Sequence, residues 1–490
     1  MYIKDRFHQL GLSDFNQPIG LKMNPENRWI KKATTIPWFA IEDRYAELFP
    51  SKTGMPAKPL RVALGSLIIQ KQYGYADREL VEQITENPYY QYFIGLPGYQ
   101  QEPPFAPSLL VEFRKRLTAD ILGEINEMII EFNHTDDEPP ADSTDAPHEE
   151  SSEIDVPAEN KGTMMLDATC APQHIAFPQD INLLNEAREN LEAIIDTICY
   201  EYNESKPRTY RQNARRDYLA LAKKKKRTKK AIREALKKQL QYVRRDLGYI
   251  DRFLAEGKEL YQAHTDRLDV IRKVYEQQYY MYHNKTHKVP DRIVSISQPY
   301  IRPIVRGKAK NPTEFGAKLD MSIDDHGMAR IEKQSFDAYN ESDVLIGAIE
   351  NYHTRTGHYP ERVLADKIYR NRKNLRYCKE RGIRLSGPAL GRPKKDPTED
   401  RKIIYTDVVD RIEIERDFSL AKRCYGLGLI RTKLDTTTRS SICLSIIAMN
   451  VDRLTANFLC VFFKLLFQGA WGGYQGVPIS PNRRLTVIAV

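Results

Sequence analysis

The feature that most limits how this chain can fold is a gap in its positive charge. No lysine or arginine occurs between Arg116 and Lys161. Inside the gap lies TDDEPPADSTDAPHEESSEIDVPAEN, which is acidic, rich in proline and serine, and poor in apolar residues. Such a stretch cannot bury enough surface to offset the entropy of ordering it, so it reads as a flexible linker. A tail that mimics DNA and competes for a basic groove is the functional alternative. Either way it separates two foldable parts, and a length of 490 residues suggests two or three domains. The spans expected are 1–130 for a helical N-terminal part, 131–162 for the linker, 163–470 for a mixed α/β part with a helical insertion at 181–285, and 471–490 for a tail.

The N-terminal part has helical periodicity. KPLRVALGSLIIQKQYG carries apolar residues at helical spacing and stops at Gly74. ADRELVEQITEN begins a second helix at Ala76–Asp77, and Pro88 suits the start of a third. PSLLVEFRKRLTADILGEINEMIIEF reads as one longer amphipathic helix. Short helices joined by tight turns suit a helix-turn-helix module, and a plain helical bundle fits the same periodicity.

The pattern changes after the linker. TMMLDATC is a short apolar run, read as a buried strand holding one carboxylate, Asp167. A lone aspartate there is costly unless it is paired, either structurally or with a metal. Residues 181 to about 285 form a helical block whose stripe Ile232, Leu236, Leu240, Val243, Leu247, Ile250, Leu254 has the spacing of a packing seam. Before it lies a cationic run, Lys223, Lys224, Lys225, Lys226, Arg227, Lys229 and Lys230. That density suits a phosphate backbone, although a solvated helix face would look the same. Next come EFGAKLDMSI and GMARIEKQSF, flanking DDHG as a hairpin, so Asp324, Asp325 and His326 read as turn formers rather than metal ligands. A helix capped by Ser342 and closed by Gly357 follows. Then come the strand ERVLADK ending in Asp366, the helix NRKNLRYCKERG, the strand IRLSG, the basic loop GPALGRPKK and the helix RIEIERDFSLAKRCYGL.

Composition narrows the partners. The formal charge is +9, which makes a polyanion plausible. The six cysteines form no CxxC pair, which argues against a zinc site or redox motif and for reduced, cytosolic thiols. The first ten residues lack the apolar core of a signal peptide. Asn450, Asp452 and Arg453 interrupt the most apolar run, 440–467, so it reads as a buried core helix and not a membrane span.

On a helical wheel Arg411, Glu415 and Lys422 fall within roughly 40° of one another. A carboxylate between two cations is either a solvated salt bridge or a face turned toward a metal and a phosphate. Asp366 ends a strand, where α/β sheets place ligands. Three converging carboxylates, Asp167, Asp366 and Glu415, could hold two divalent cations about 4 Å apart.

Three motifs then carry a family likeness: LDATCAPQHI with Asp167, VLADKIYRNRKNLRYCKERGIRL with Asp366, and RIEIERDFSLAKRCYGLGLIRTKL with Glu415. In this order they resemble the bacterial insertion-sequence transposases of the DDE class, whose catalytic core is ribonuclease H-like. The third motif is the most specific. In one large subgroup it reads tyrosine, two residues, arginine, three residues, glutamate, six residues, lysine. Arg411, Glu415 and Lys422 keep those gaps, while Val408 stands at the tyrosine position. KPLRVALGSLIIQKQYGYADRELVEQITENPYYQYFIGLP resembles the N-terminal domain of the same transposases.

The resemblance implies an enzyme that binds the terminal inverted repeats of its element, as a homodimer on double-stranded DNA. It would hydrolyse phosphodiester bonds there and transfer the ends to target DNA. Asp167, Asp366 and Glu415 would hold magnesium or manganese, as two ions, and Arg411 and Lys422 would meet phosphates. The implied location is cytoplasmic, on the nucleoid. The 199 residues from Asp167 to Asp366, against 49 from Asp366 to Glu415, place the insertion before the second aspartate. Tryptophan occurs only at 29, 38 and 471, so a flipped base would need another stacking ring, such as a tyrosine of YEQQYYMYH. A nuclease that cuts without joining, or an inactive DNA-binding descendant, would share these motifs.

Overall fold

The computed structural model describes residues 1–4, 11–50, 53–134, 159–305, 313–388 and 398–470. Most of the acidic linker, the basic loop from 389 and the tail from 471 lie outside the described residues. Among the described residues seven helices precede the linker: α1 (Arg28–Thr34), α2 (Trp38–Ala46), α3 (Leu60–Tyr73), α4 (Asp77–Glu86), α5 (Pro88–Phe93), α6 (Leu109–Arg116) and α7 (Ala119–His134). Gly74 closes α3 at φ +72°, the left-handed conformation that a side chain would strain. Pro88 opens α5, where a missing N–H costs nothing, and Asn87 caps it.

The long helix expected from PSLLVEFRKRLTADILGEINEMIIEF is two helices. The chain breaks at Leu117, which is fully buried, and Thr118. Charge marks the break: Arg114, Lys115 and Arg116 sit on the C-terminal turn of α6, and Asp120 on the N-terminal turn of α7. Each complements its own helix dipole, so one helix across the junction would lose both.

After the linker come β1 (Thr163–Pro172), then α8 (Asp180–Glu201), α9 (Arg211–Ala222), α10 (Lys229–Ala255) and α11 (Gln262–Asn284). The sheet resumes with β2 (Arg302–Val305), β3 (Thr313–Ile323) and β4 (Ala329–Ser335). It continues through α12 (Leu345–Thr356), β5 (Arg362–Ala365), α13 (Arg372–Glu380) and β6 (Arg384–Leu385). Two long helices finish the described chain, α14 (Thr398–Cys424) and α15 (Asp435–Ala470). The strand order is β2-β3-β1-β5-β6, with β4 also on β3. β1 is antiparallel to β3 and parallel to β5, and β6 runs parallel to β5.

DDHG is the β3–β4 turn. Asp324 Oδ1 accepts from Met328 N at 2.8 Å and Asp324 Oδ2 from Arg330 at 2.6 Å. Ser342 does not cap α12. It lies in a short 3₁₀ turn (Glu341–Asp343) before that helix, where Asn340 accepts from its N–H. Ser342 is buried there and its carbonyl accepts from Asn374 at 2.7 Å.

The helical block has its own core. Leu240, Val243, Leu247 and Ile250 of the predicted seam are buried with Leu184, Leu191, Ile195 and Ile198 of α8. The other large core is continuous across the linker. Buried side chains of α1–α7 join one cluster with Met165, Leu319, Met321, Ile414, Phe418 and the apolar face of α15. The polar residues that interrupt α15 all find partners. Asn450 bonds Ala329 N at 3.0 Å and Asn126 at 2.9 Å, Asp452 meets Lys32 and Tyr425, and Arg453 meets Asp417. Among the described residues no helix is long and apolar enough to cross a membrane.

Candidate active site

The register of the parallel pair sets two of the carboxylates side by side. Leu166 of β1 aligns with Ala365 of β5, so the next residues, Asp167 within β1 and Asp366 just past the end of β5, lie at one level and on one face. Asp366 starts a 3₁₀ turn (Lys367–Tyr369) and accepts from Lys367 N at 2.7 Å. That turn is pinned from behind: Tyr369 is fully buried and donates to Asp320 Oδ1 at 2.6 Å.

α14 lies over this face and brings the third. Asp407 takes both Arg384 guanidinium nitrogens, at 2.7 and 2.8 Å, and Asp410 takes Arg362 at 2.8 Å. These pairs tie the helix to β5 and β6. Ile414, Phe418 and Ala421 bury its underside, and Phe418 lies on the stripe of Arg411, Glu415 and Lys422.

The centre of the site is the Arg411 guanidinium. It lies 3.7 Å from Asp167 Oδ2, 4.0 Å from Asp366 Oδ1 and 3.5 Å from Glu415 Oε1. Arg411 therefore stands among the carboxylates as their shared countercharge. Asp366 and Glu415 are open to solvent, with side chains 54% and 58% exposed, while Asp167 is 19% exposed. Burial pushes the Asp167 carboxyl up to about 6, against the opposing pull of the Ala168 N–H at 2.8 Å and of Arg411.

Among the described residues no three Asp, Glu, His or Cys side chains lie close enough to hold one metal ion in this arrangement. The arginine separates the three. The chemistry of the set still fits a hard divalent cation: all donors are oxygens, and their joint field already holds a cation at its centre.

The cationic run is not a face of a long helix. Lys223–Thr228 form the exposed turn between α9 and α10, and only Lys229 and Lys230 enter α10, behind the Thr228 cap. Arg227 is partly structural, donating to Gln179 just before α8 at 2.8 Å. Lys422 lies seven residues beyond Glu415, about 10 Å along the helix. Two residues escaped the sequence reading, Asp320 and Tyr369. An aspartate inside the apolar alternation of KLDMSI was the available signal for the first. Nothing local marks the second.

The site is thus a sheet with two adjacent acids at one level and a third acid delivered by a covering helix. Residues 363–452 match the family model described as a transposase DDE domain. Residues 20–116 match a second, described as a transposase domain (DUF772). In both regions the chain matches an insertion-sequence DDE transposase. The first match includes Asp366, Arg411, Glu415 and Lys422 and stops short of Asp167. The chain is also 27% identical over 177 residues to an uncharacterised protein, ORF8 of the nfe locus of Rhizobium meliloti, across 36% of this chain and 77% of that protein. No solved structure matches the chain.

Proposed function

We propose that the protein is a transposase that binds the terminal inverted repeats of its own insertion sequence, hydrolyses phosphodiester bonds there, and transfers the exposed 3′-hydroxyls to target DNA. The observation that carries this reading is the meeting of Asp167, Asp366 and Glu415, from three distant segments, around one guanidinium. The strand order and directions support a ribonuclease H-like core. The divalent cations, magnesium or manganese and two in number, would activate the attacking oxygen and neutralise the leaving one. Asp167, Asp366 and Glu415 would hold them. Arg411 would give up its place among the carboxylates and turn to a phosphate beside the cut, with Lys422 on another phosphate further along the same helix. Lys223–Lys226, Arg227, Lys229 and Lys230 would lie along the duplex backbone, and the N-terminal helices would read the ends. Two protomers would pair the two ends, so we expect a homodimer on DNA, working in the cytoplasm on the nucleoid.

The test uses DNA carrying the native flanks of this protein's gene, with magnesium or manganese and then with chelator, and maps the cut ends. Metal-dependent breaks at inverted repeats, absent in Asp167→Ala, are the expected result. Breaks without joined products would leave a nuclease. Binding without breaks under all conditions would identify an inactive DNA-binding descendant.

A further inference from the structure

A cleft of about 650 Å³ opens where the N-terminal helices meet the far end of α14. One wall is the end of α3, the turn into α4, and α6, with Gln70, Lys71, Tyr75 and Arg114. The other is the end of α14, the loop after it and the start of α15, with Lys422, Arg431 and Ser441. Four cations line it against one carboxylate, Asp77. That carboxylate is already taken, because Arg114 grips it with two nitrogens, one at 3.1 Å. Among the described residues the hydrogen-bond partner of Lys71 is neutral, the Ser441 hydroxyl at 2.6 Å. Burial and the neighbouring Arg114 push its ammonium down to about 7, so the cleft holds that charge at a cost that an anion would relieve.

The backbone keeps the cleft open. Gly426, at φ +72°, turns the chain out of α14, and a Cβ there would lie 4.0 Å from the Lys71 ammonium. Gly428 packs so close that a Cβ would fall 2.6 Å from the Lys422 carbonyl oxygen. The loop is stitched to the end of β1 by Ile430 N to Pro172 O and His174 N to Ile430 O, each 2.8 Å. The cationic wall is therefore fixed to the strand that carries Asp167. Lys422 joins the cleft to the carboxylates along one helical stripe, about 10 Å apart, close to the reach of a few nucleotides.

We propose that this cleft seats a backbone phosphate of the DNA strand leaving the carboxylate site, held by Lys71 of the N-terminal part and by Lys422 and Arg431 of the catalytic part. The inference rests on the transposase reading and adds a bridge to it: the bound strand ties the two parts of the chain together. Lys71 would donate to a phosphate oxygen while keeping Ser441 as its positioning partner.

The experiment measures binding of the full-length protein to a duplex with its native ends, in chelator, over a salt series. Lys71→Met should lower the slope of log affinity against log salt by about 1, as the loss of one phosphate contact predicts, and Lys71→Arg should restore it. Arg431→Gln, exposed on the opposite wall, should lower the slope by a similar amount and guards against misfolding of the first variant. Unchanged slopes in folded Lys71→Met and Arg431→Gln, with normal binding by the wild type, would overturn the cleft assignment and leave the transposase reading intact. A wild type that binds no DNA would overturn both.

Discussion

Asp167 and Asp320 lie on neighbouring strands and on opposite faces of one sheet, Asp320 pairing with Ala168 in the antiparallel register. Burial raises both carboxyls. Their surroundings differ. Asp320 is fully buried and accepts from two phenols, Tyr369 at 2.6 Å and Tyr339. Asp167 receives one backbone N–H and a guanidinium too distant for a normal hydrogen bond. A satisfied buried acid is a structural part; an under-satisfied one at a solvent-facing cluster is, under the proposed function, the acid that would take a cation. The two faces are mechanically linked, because Tyr369, held by Asp320, ends the turn that Asp366 begins.

The largest effect should come from the working face. Asp366→Asn should lower end cleavage on the order of 10³-fold or more while end binding stays nearly intact. Full cleavage by that variant would remove the catalytic assignment. Next, Asp320→Ala would strand the buried Tyr369 hydroxyl and the half-buried Tyr339 hydroxyl and open a cavity, costing about 2–4 kcal/mol, seen as a lower melting midpoint. An unchanged midpoint would mean that the back face is not structural.

Asp167→Asn should have the opposite sign. A folded-state carboxyl raised from 3.8 to about 6 carries no penalty below pH about 4 and its full penalty above about 6. At pH 8 the metal-free variant should therefore melt higher than wild type, by up to about 3 kcal/mol of stabilisation, and the gain should vanish near pH 4. A gain equal at both pH values would trace to packing instead. The smallest effect concerns delivery of Glu415. Asp407→Asn weakens the bidentate hold of Arg384 on α14, and cleavage should fall about tenfold, equivalent to about 1.4 kcal/mol. If cleavage is unaltered, the sheet-edge pairs do not position the helix.

Much of this was written in local pattern. The seam of α10, the hairpin at DDHG, the stop at Gly74 and the stripe of Arg411, Glu415 and Lys422 follow from periodicity and turn chemistry, which act over a few residues. The break between α6 and α7 was legible too, in the charge reversal of RKRLTAD, but apolar periodicity runs straight through it and outweighed that sign. The cap at Ser342 failed because tertiary packing buries that serine beneath Asn374.

The sequence by itself determined which acids the proposed function draws on, since their residue types and spacings in three motifs are properties of the chain alone. Tertiary structure decided the rest. The β1–β5 register set Asp167 beside Asp366, and α14 laid Arg411 between them and Glu415. The tyrosine clamp behind the site and the cationic cleft joining both parts of the chain depend on contacts between residues as far apart as Lys71 and Ser441. Those contacts follow from how sheet and helices pack, and no local rule of propensity or charge encodes them.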